Sequence, residues 1–442
     1  MTHPRQLRSL TLGLSVGAAT GALALAILFM LIVVANPTAQ AQTFTVLHTF
    51  TGGGDGGAPT AGVTLDGAGN LYGTTLEGGD LECNGEGPSC GTVYKLQHRG
   101  SGWALNTLYA FTGGSDGDEP GARVVFGPNG ALYGTTLFGG LGGVYSGVVF
   151  KLSPSPTACK TAQCPWIETA LYAFANGARP NFGDVTFDRV GNMYGTALLG
   201  GSGGNGVVWE LTPPGSWGTE SVLHAFTGDP DGAGPENAVI FDSEGNLYGT
   251  TFLGGGGSYG TVFQLLPVSG GWMENILYSF QDESDGGVLT AGLIFDKSGN
   301  LYGATTHAGT GGGGTIFELS PPGTWTTFTV VYSIAGSLGG GCTSGAGPGP
   351  QATLTMDGAG NLYGTTCGDG IYQHGNVFRL TPSDGGWTYT DLYDFAGGSD
   401  GGYPISNVVF DKSGNLYGTA SAGGLAGGCG GLGCGVVWKI TP

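Results

Sequence analysis

Basic residues are scarce in this chain. It has 13 Lys and Arg against 32 Asp and Glu, and the four types together make up only 10% of its 442 residues. So little positive charge excludes nucleic acid and anionic membrane as partners, because phosphate contacts need clustered Lys and Arg. Helical periodicity is missing too, so the folded part is not helical. No G-x-S-x-G elbow, H-E-x-x-H pair or Walker-type loop occurs, and the glycine runs lead into no helix that could cradle phosphate. No Cys-x-x-Cys occurs and no His lies between paired cysteines, which argues against a structural zinc site. Past the N-terminus, no apolar run is long enough to span a bilayer.

The N-terminus itself carries Arg5 and Arg8, an uncharged apolar stretch over residues 10–35, and Ala39-Gln40-Ala41. This is the layout of a secretory signal. Residues 1–41 are expected to be a signal peptide cleaved after Ala41, with a retained anchor as the alternative, and residues 42–442 a single domain. Cleavage would remove two arginines and no acids, moving the formal charge from −19 to 11 − 32 = −21. Eight cysteines behind a signal read as disulfides. Spacing pairs Cys83 with Cys90, Cys159 with Cys164 and Cys429 with Cys434, and elimination pairs Cys342 with Cys367.

What the chain has in abundance is glycine, 94 residues, placed regularly within seven copies of Asn-Leu-Tyr-Gly-Thr-Thr or a near relative. The motif tyrosines are Tyr72, Tyr133, Tyr194, Tyr248, Tyr302, Tyr363 and Tyr417, spaced by 61, 61, 54, 54, 61 and 54 residues. Each unit holds four β-type segments: an aromatic strand such as 108–111, a β-branched one such as 124–126, the motif, and one such as 148–152. The turn before the motif is Asp-x-x-Gly-Asn in six units and 127–131 in the other, a hairpin connection. One unit of this kind per blade predicts an all-β, seven-bladed β-propeller of four-stranded antiparallel blades. The chain begins on an outer (D) strand over 44–50 and ends on a C strand over 436–440. The N-terminal strand is therefore expected to complete the last blade and close the ring. Six tryptophans, Trp103, Trp166, Trp217, Trp272, Trp325 and Trp387, open outer strands and are expected to pack against the core or rim.

Gly-Asn-Leu-Tyr-Gly-Thr-Thr, a Gly-Gly stretch, Gly-Thr-Val-Phe-x-Leu and Leu-Tyr-x-Phe with Gly-Gly-x-Asp-Gly together resemble the GloVer tandem repeat of exported bacterial proteins. The resemblance covers residues 44–442. It implies export from a bacterium and supplies neither an activity nor catalytic residues. Some of those proteins end in a surface-sorting segment, which Lys439-Ile440-Thr441-Pro442 is not. The Asp-x-x-Gly-Asn-Leu-Tyr hairpin also has a weaker likeness to NHL-type propellers.

In such a ring the D–A and B–C loops share one face, and sequence variation concentrates there, so that face is expected to recognise a ligand or partner. The expected partner is an extracellular polysaccharide, other ligand or protein, and no cofactor is expected. Calcium is the one metal with a foothold, through Asp-Gly turns at Asp55, Asp116, Asp231, Asp285 and Asp400. Polar residues that break the repeat are Glu77, Glu82 and Glu86; Asp118, Glu119 and Arg123; Arg179 and Asp184; His307 and His374. His48 and His224 stand where other units have Tyr and are expected to be packing substitutions. Two alternatives to a non-enzymatic binding module remain: a hydrolase or lyase acting on polysaccharide, and a structural surface or matrix protein. Two carboxylates and an Arg or His in mutual reach at the channel mouth would mark the enzyme.

Overall fold

The computed structural model describes residues 42–442, apart from 81, 84–88, 141–145, 156–165, 176, 214–219, 322–326, 337–341, 343–346 and 426. The expected signal segment and the Cys159/Cys164 pair lie outside the described residues. Phe44–Thr441 forms one compact unit.

Among the described residues, twenty-eight strands form seven four-stranded antiparallel sheets, and the only helical element is a single 3-10 turn, Cys429–Gly431. Blade 1 runs from an inner strand A, Thr64–Leu65, through B, Leu71–Thr75, and C, Thr92–Arg99, to an outer strand D, Gly102–Ala110. Blades 2 to 6 repeat this order. Blade 7 takes A, B and C from Val409–Phe410, Leu416–Ala420 and Val436–Thr441, and its D strand is the N-terminal Thr43–Thr49. The Phe50 amide donates to the Gly435 carbonyl at 3.0 Å, so the ring is closed by the strand nearest the N-terminus.

The sequence motif accounts for each blade. In the first turn, Asp66 Oδ1 accepts from the amides of Ala68 and Asn70, and Oδ2 accepts from Asn70 Nδ2 and the Tyr72 hydroxyl. Aspartate, asparagine and tyrosine thus form one closed network that fixes the hairpin. Burial alone would raise the Asp66 carboxyl, but the Asn70 side chain and amide, the Ala68 amide and Tyr72 hold it below its ordinary value. The glycine after each tyrosine faces a fully buried aromatic across the B–C ladder, as Gly364 faces Phe378 and Gly134 faces Phe150.

Blades meet through apolar layers rather than around a central core. Each of seven buried clusters draws on two neighbouring blades: Tyr72, Val93 and Leu108 of blade 1, for example, pack with Val124, Leu132 and Phe150 of blade 2. Trp103, Trp166, Trp272 and Trp387 pack against these seams, while Trp217 and Trp325 lie outside the described residues. Threonine hydroxyls rivet the seams. Thr74 donates to Ala122 O, Thr250 to Ala291 O, and Thr419 to Ala61 O across the closure.

Disulfides join Cys83–Cys90, Cys342–Cys367 and Cys429–Cys434. The last packs on Gly52 and Gly57, just after the closing strand, and the Ala58 amide donates to Cys434 O at 2.9 Å. Bridges such as Gly57↔Glu77, Asp118↔Phe138 and Ala233↔Leu253 tie D–A loops to B–C loops, which places both loop sets on one face.

Candidate functional site at the channel mouth

On that face each chain segment enters its A strand with a residue that faces the axis. The seven equivalents, just before the buried Val or Leu, are Gly62, Arg123, Asp184, Ala238, Gly292, Thr353 and Asn407. Six blades count four residues from the first position of the segment (Pro, or Leu289 in blade 5) to the Val or Leu, whereas blade 3 counts five, Pro180 to Val185. Asp184 reaches back to blade 2, as Thr353 reaches from blade 6 to the Gly292 amide of blade 5. Arg123 Nε and Nη2 donate to Asp184 Oδ2 at 2.9 and 2.7 Å, and the Arg123 amide donates to Oδ1 at 2.9 Å. At this seam the buried Thr135 hydroxyl of blade 2, the counterpart of the riveting threonines, has no hydrogen-bond partner among the described residues.

A cavity of about 160 Å³ opens here, lined by Arg123, Asp184, Glu236, Asn237, Gln351 and Asn407 among others. Beneath it, the channel between the A strands encloses about 510 Å³. Phe182, 40% exposed, forms part of the wall and leans over Gly121, where a Cβ would lie 2.9 Å from its ring. Asn181 Nδ2 donates to Glu236 Oε1 at 2.9 Å. Burial pushes Glu236 up to about 7, against the opposing pull of that hydrogen bond and of the Arg179 charge. The mouth therefore offers a neutralised ion pair, amides, hydroxyls, an open aromatic face, and a carboxyl that can donate as well as accept near neutral pH. Of the two mouth carboxyls, Asp184 is the one bonded to an arginine, because Glu236 is held by Asn181 instead.

Of the repeat-breaking residues named from the sequence, Arg123 and Asp184 meet at the mouth. Arg179 bridges to Leu199, and its guanidinium lies over the Phe138 ring at 5.4 Å. Glu77 pairs with Gly57 through backbone and is raised by burial. Asp118 and Glu119 stay in the second D–A loop, Asp118 buried. The amide of Glu82 bonds Asp80, and Glu86 lies outside the described residues. His307 pairs with Asp282 at 2.8 Å, and His374 stands edge-on to Tyr403. Of these, only Arg179 reaches toward the mouth, through its charge on Glu236, and it does not line the cavity.

The five Asp-Gly carboxylates are spread over five blades, and each caps its own turn. Asp55, Asp116, Asp231, Asp285 and Asp400 accept the amides of Thr51, Thr112, Thr227, Gln281 and Ala396, each four residues earlier. Each also accepts from, or pairs with, the ring seven residues earlier: His48, Tyr109, His224, Tyr278 or Tyr393. Burial lowers His48, while Asp55 opposes the shift. At Asp231 a further carboxyl arrives from blade 4: Glu274, pushed up to about 9 by burial first and by Asp231 second. Glu168 sits in the same relation to Asp116 and is raised to about 7, chiefly by burial.

Glu236, Glu168 and Glu274 are absent from the sequence-derived candidates. Comparing the units position by position would have found Glu236, the only acid in the place filled elsewhere by Thr60, Gly121, Thr290, Gln351 or Ile405.

A family model described as the Gloeobacter/Verrucomicrobia repeat matches residues 33–164 and 167–346. No curated protein matches the chain. Among solved structures, similarity extends to a putative oxidoreductase (glucose dehydrogenase) of Thermus thermophilus, at 15% identity, 73% of this chain, 96% of that one and a TM-score of 0.40. A putative 6-phosphogluconolactonase of Bacteroides uniformis is 15% identical over 76% of this chain and 86% of that one, with a TM-score of 0.46. A protein of unknown function from Dyadobacter fermentans is 12% identical over 91% and 98%, with a TM-score of 0.44.

Proposed function

We propose that this chain, which belongs to the Gloeobacter/Verrucomicrobia repeat family, is an exported binding propeller that holds part of a neutral saccharide in its channel mouth. The observation that carries this reading is the broken symmetry of the mouth. Seven positions that the repeat would make alike are filled by seven residues of six types, including one Arg–Asp pair across a seam. Structural packing does not require that variety, whereas one asymmetric ligand does.

The chemistry favours a neutral, hydroxyl-rich ligand. Arg123, the one cation lining the cavity among the described residues, is already matched by Asp184, so a free anion finds no unpaired cation on that wall. Amide and hydroxyl groups suit paired donor–acceptor contacts, and Phe182 presents a flat apolar face. Export rests on the signal-like residues 1–41 and on three disulfides among the described residues, which persist outside reducing compartments.

Screening the mature chain against immobilised neutral and acidic glycans tests the reading. Binding to at least one neutral saccharide is expected, weakened about tenfold, or roughly 1.4 kcal/mol, by Phe182→Ala with no change in melting temperature. Preference for acidic glycans, or full affinity in that variant, would overturn it.

A second reading follows from Glu236 alone. A carboxyl raised to about 7 beside an ion-paired Asp184 is suited to act as a general acid in glycoside cleavage. Release of reducing ends from the bound saccharide, abolished by Glu236→Gln with binding kept, would establish it. Binding without cleavage leaves the protein a lectin-like module.

A further inference from the structure

The seven blades serve as controls for one another at the outer seams. Four residues before the Tyr or His of each D strand, a side chain reaches toward the ring of the preceding blade. At three seams the pair is aromatic: Phe44 stacks on Tyr393 at 3.7 Å, Phe328 on Tyr278 at 3.9 Å, and Tyr389 on Tyr332 at 4.8 Å. In blade 1 that position is Leu105 and in blade 3 it is Glu220, which accepts from the Tyr172 hydroxyl at 2.7 Å. Among the described residues, only at the seam between blades 3 and 4 do a histidine, a turn aspartate and a glutamate coincide. His224 Nε2 lies 3.0 Å from Asp231 Oδ1 and 3.6 Å from Glu274 Oε2, and ligand atoms of all three lie within 4.8 Å of one another.

We infer that His224, Asp231 and Glu274 form a site for one divalent transition-metal ion of the zinc class, bridging blades 3 and 4. Bonds of about 2.1 Å at tetrahedral angles put ligand atoms roughly 3.4 Å apart, and the two measured separations bracket that value. One imidazole nitrogen with two carboxylates selects zinc-like ions over calcium, which takes six or more oxygens. The other oxygen of Asp231 is fixed by the Thr227 amide and hydroxyl at 2.7 and 2.8 Å, the kind of outer support that orients a metal ligand. Glu274 Oε1 has no hydrogen-bond partner among the described residues, and the carboxyl is turned toward Asp231 and His224. The three side chains are 13 to 19% exposed, which leaves a way in for the ion and room for water at a fourth position. Two carboxylates neutralise a dication, so binding would replace the proton that Glu274 holds against Asp231 in the ion-free seam. The site is separate from the channel mouth and does not depend on what binds there.

Titrating the mature, metal-free chain with Zn²⁺ by calorimetry should give one site per chain, and Zn²⁺ should raise the melting temperature. His224→Tyr and Glu274→Leu install residues that equivalent positions of other blades already carry, so the fold should survive. Each should weaken Zn²⁺ binding at least tenfold and remove the thermal shift. His48→Tyr, at the two-member His48–Asp55 pair, should leave both intact. X-ray absorption of the Zn²⁺-loaded wild type needs no variant and should show only nitrogen and oxygen neighbours at about 2.0–2.2 Å. Absence of a one-to-one site, binding that survives either seam variant, preference for Ca²⁺, or a sulfur shell would each overturn the inference.

Discussion

Gly364 stands against the ring of Phe378 so closely that a Cβ would lie 2.6 Å from it. The same relation holds at the motif glycine of every blade, which is why a strand otherwise made of Leu, Tyr and Thr keeps a residue poor in β-propensity. Gly364→Ala must displace a fully buried aromatic in a packed seam, and overpacking of this kind costs about 1–3 kcal/mol. Denaturant unfolding should show that loss, while Gly358→Ala, in a turn with open space around it, should cost far less. Glu236 yields a pH dependence. Its folded-state value is raised from 4.5 to about 7, so between those values the folded chain keeps a proton that the unfolded chain releases. The group therefore lowers stability progressively as pH rises through that window. Glu236→Gln escapes this cost, so its melting temperature relative to wild type should climb from pH 5 to pH 8. A flat difference would place Glu236 in ordinary solvent.

Between neighbouring strands and blades, the recurrent device is the threonine after the motif glycine, which bonds a carbonyl one blade away. Blade 5 has Ala304 in that place. Ala304→Thr should recover the missing bond to the Ala352 carbonyl and stabilise the protein by about 1 kcal/mol, whereas Thr250→Ala should destabilise it by a similar or larger amount. A loss on Ala304→Thr would mean the blade 5 seam is packed differently from the others. The strands, hairpins and threonine positions were legible in the sequence because each is dictated by neighbours within one repeat. The Asp66–Asn70–Tyr72 network, for instance, is complete within seven residues. The strand-A ladder is shorter than 124–126 suggested: only Val125–Phe126 pair with strand B. Val124 instead packs in the seam as a buried residue.

Around the ring, closure by the N-terminal strand was also legible, because the chain begins on a D-type segment and ends on a C-type one. The mouth was only half legible. Arg123 and Asp184 stood out as charges in an uncharged repeat, but their pairing joins two blades and residues 61 positions apart, which no single repeat encodes. Glu236 and Glu274 acquire their environments from side chains 55 and 50 residues away, Asn181 and His224, a relation that no local pattern encodes. Seven nearly equal blades thus supply the frame, and the proposed sites lie in the few places where they differ.

The most direct test is hydrogen–deuterium exchange of the mature chain with and without a saturating neutral saccharide found by the glycan screen. The account predicts protection concentrated in 120–123, 180–184 and 235–238, the segments that carry Arg123, Phe182, Asp184 and Glu236 to the axis. Protection confined to the uniform A–B turns, such as 66–70 and 411–415, or to the outer strands, would contradict it.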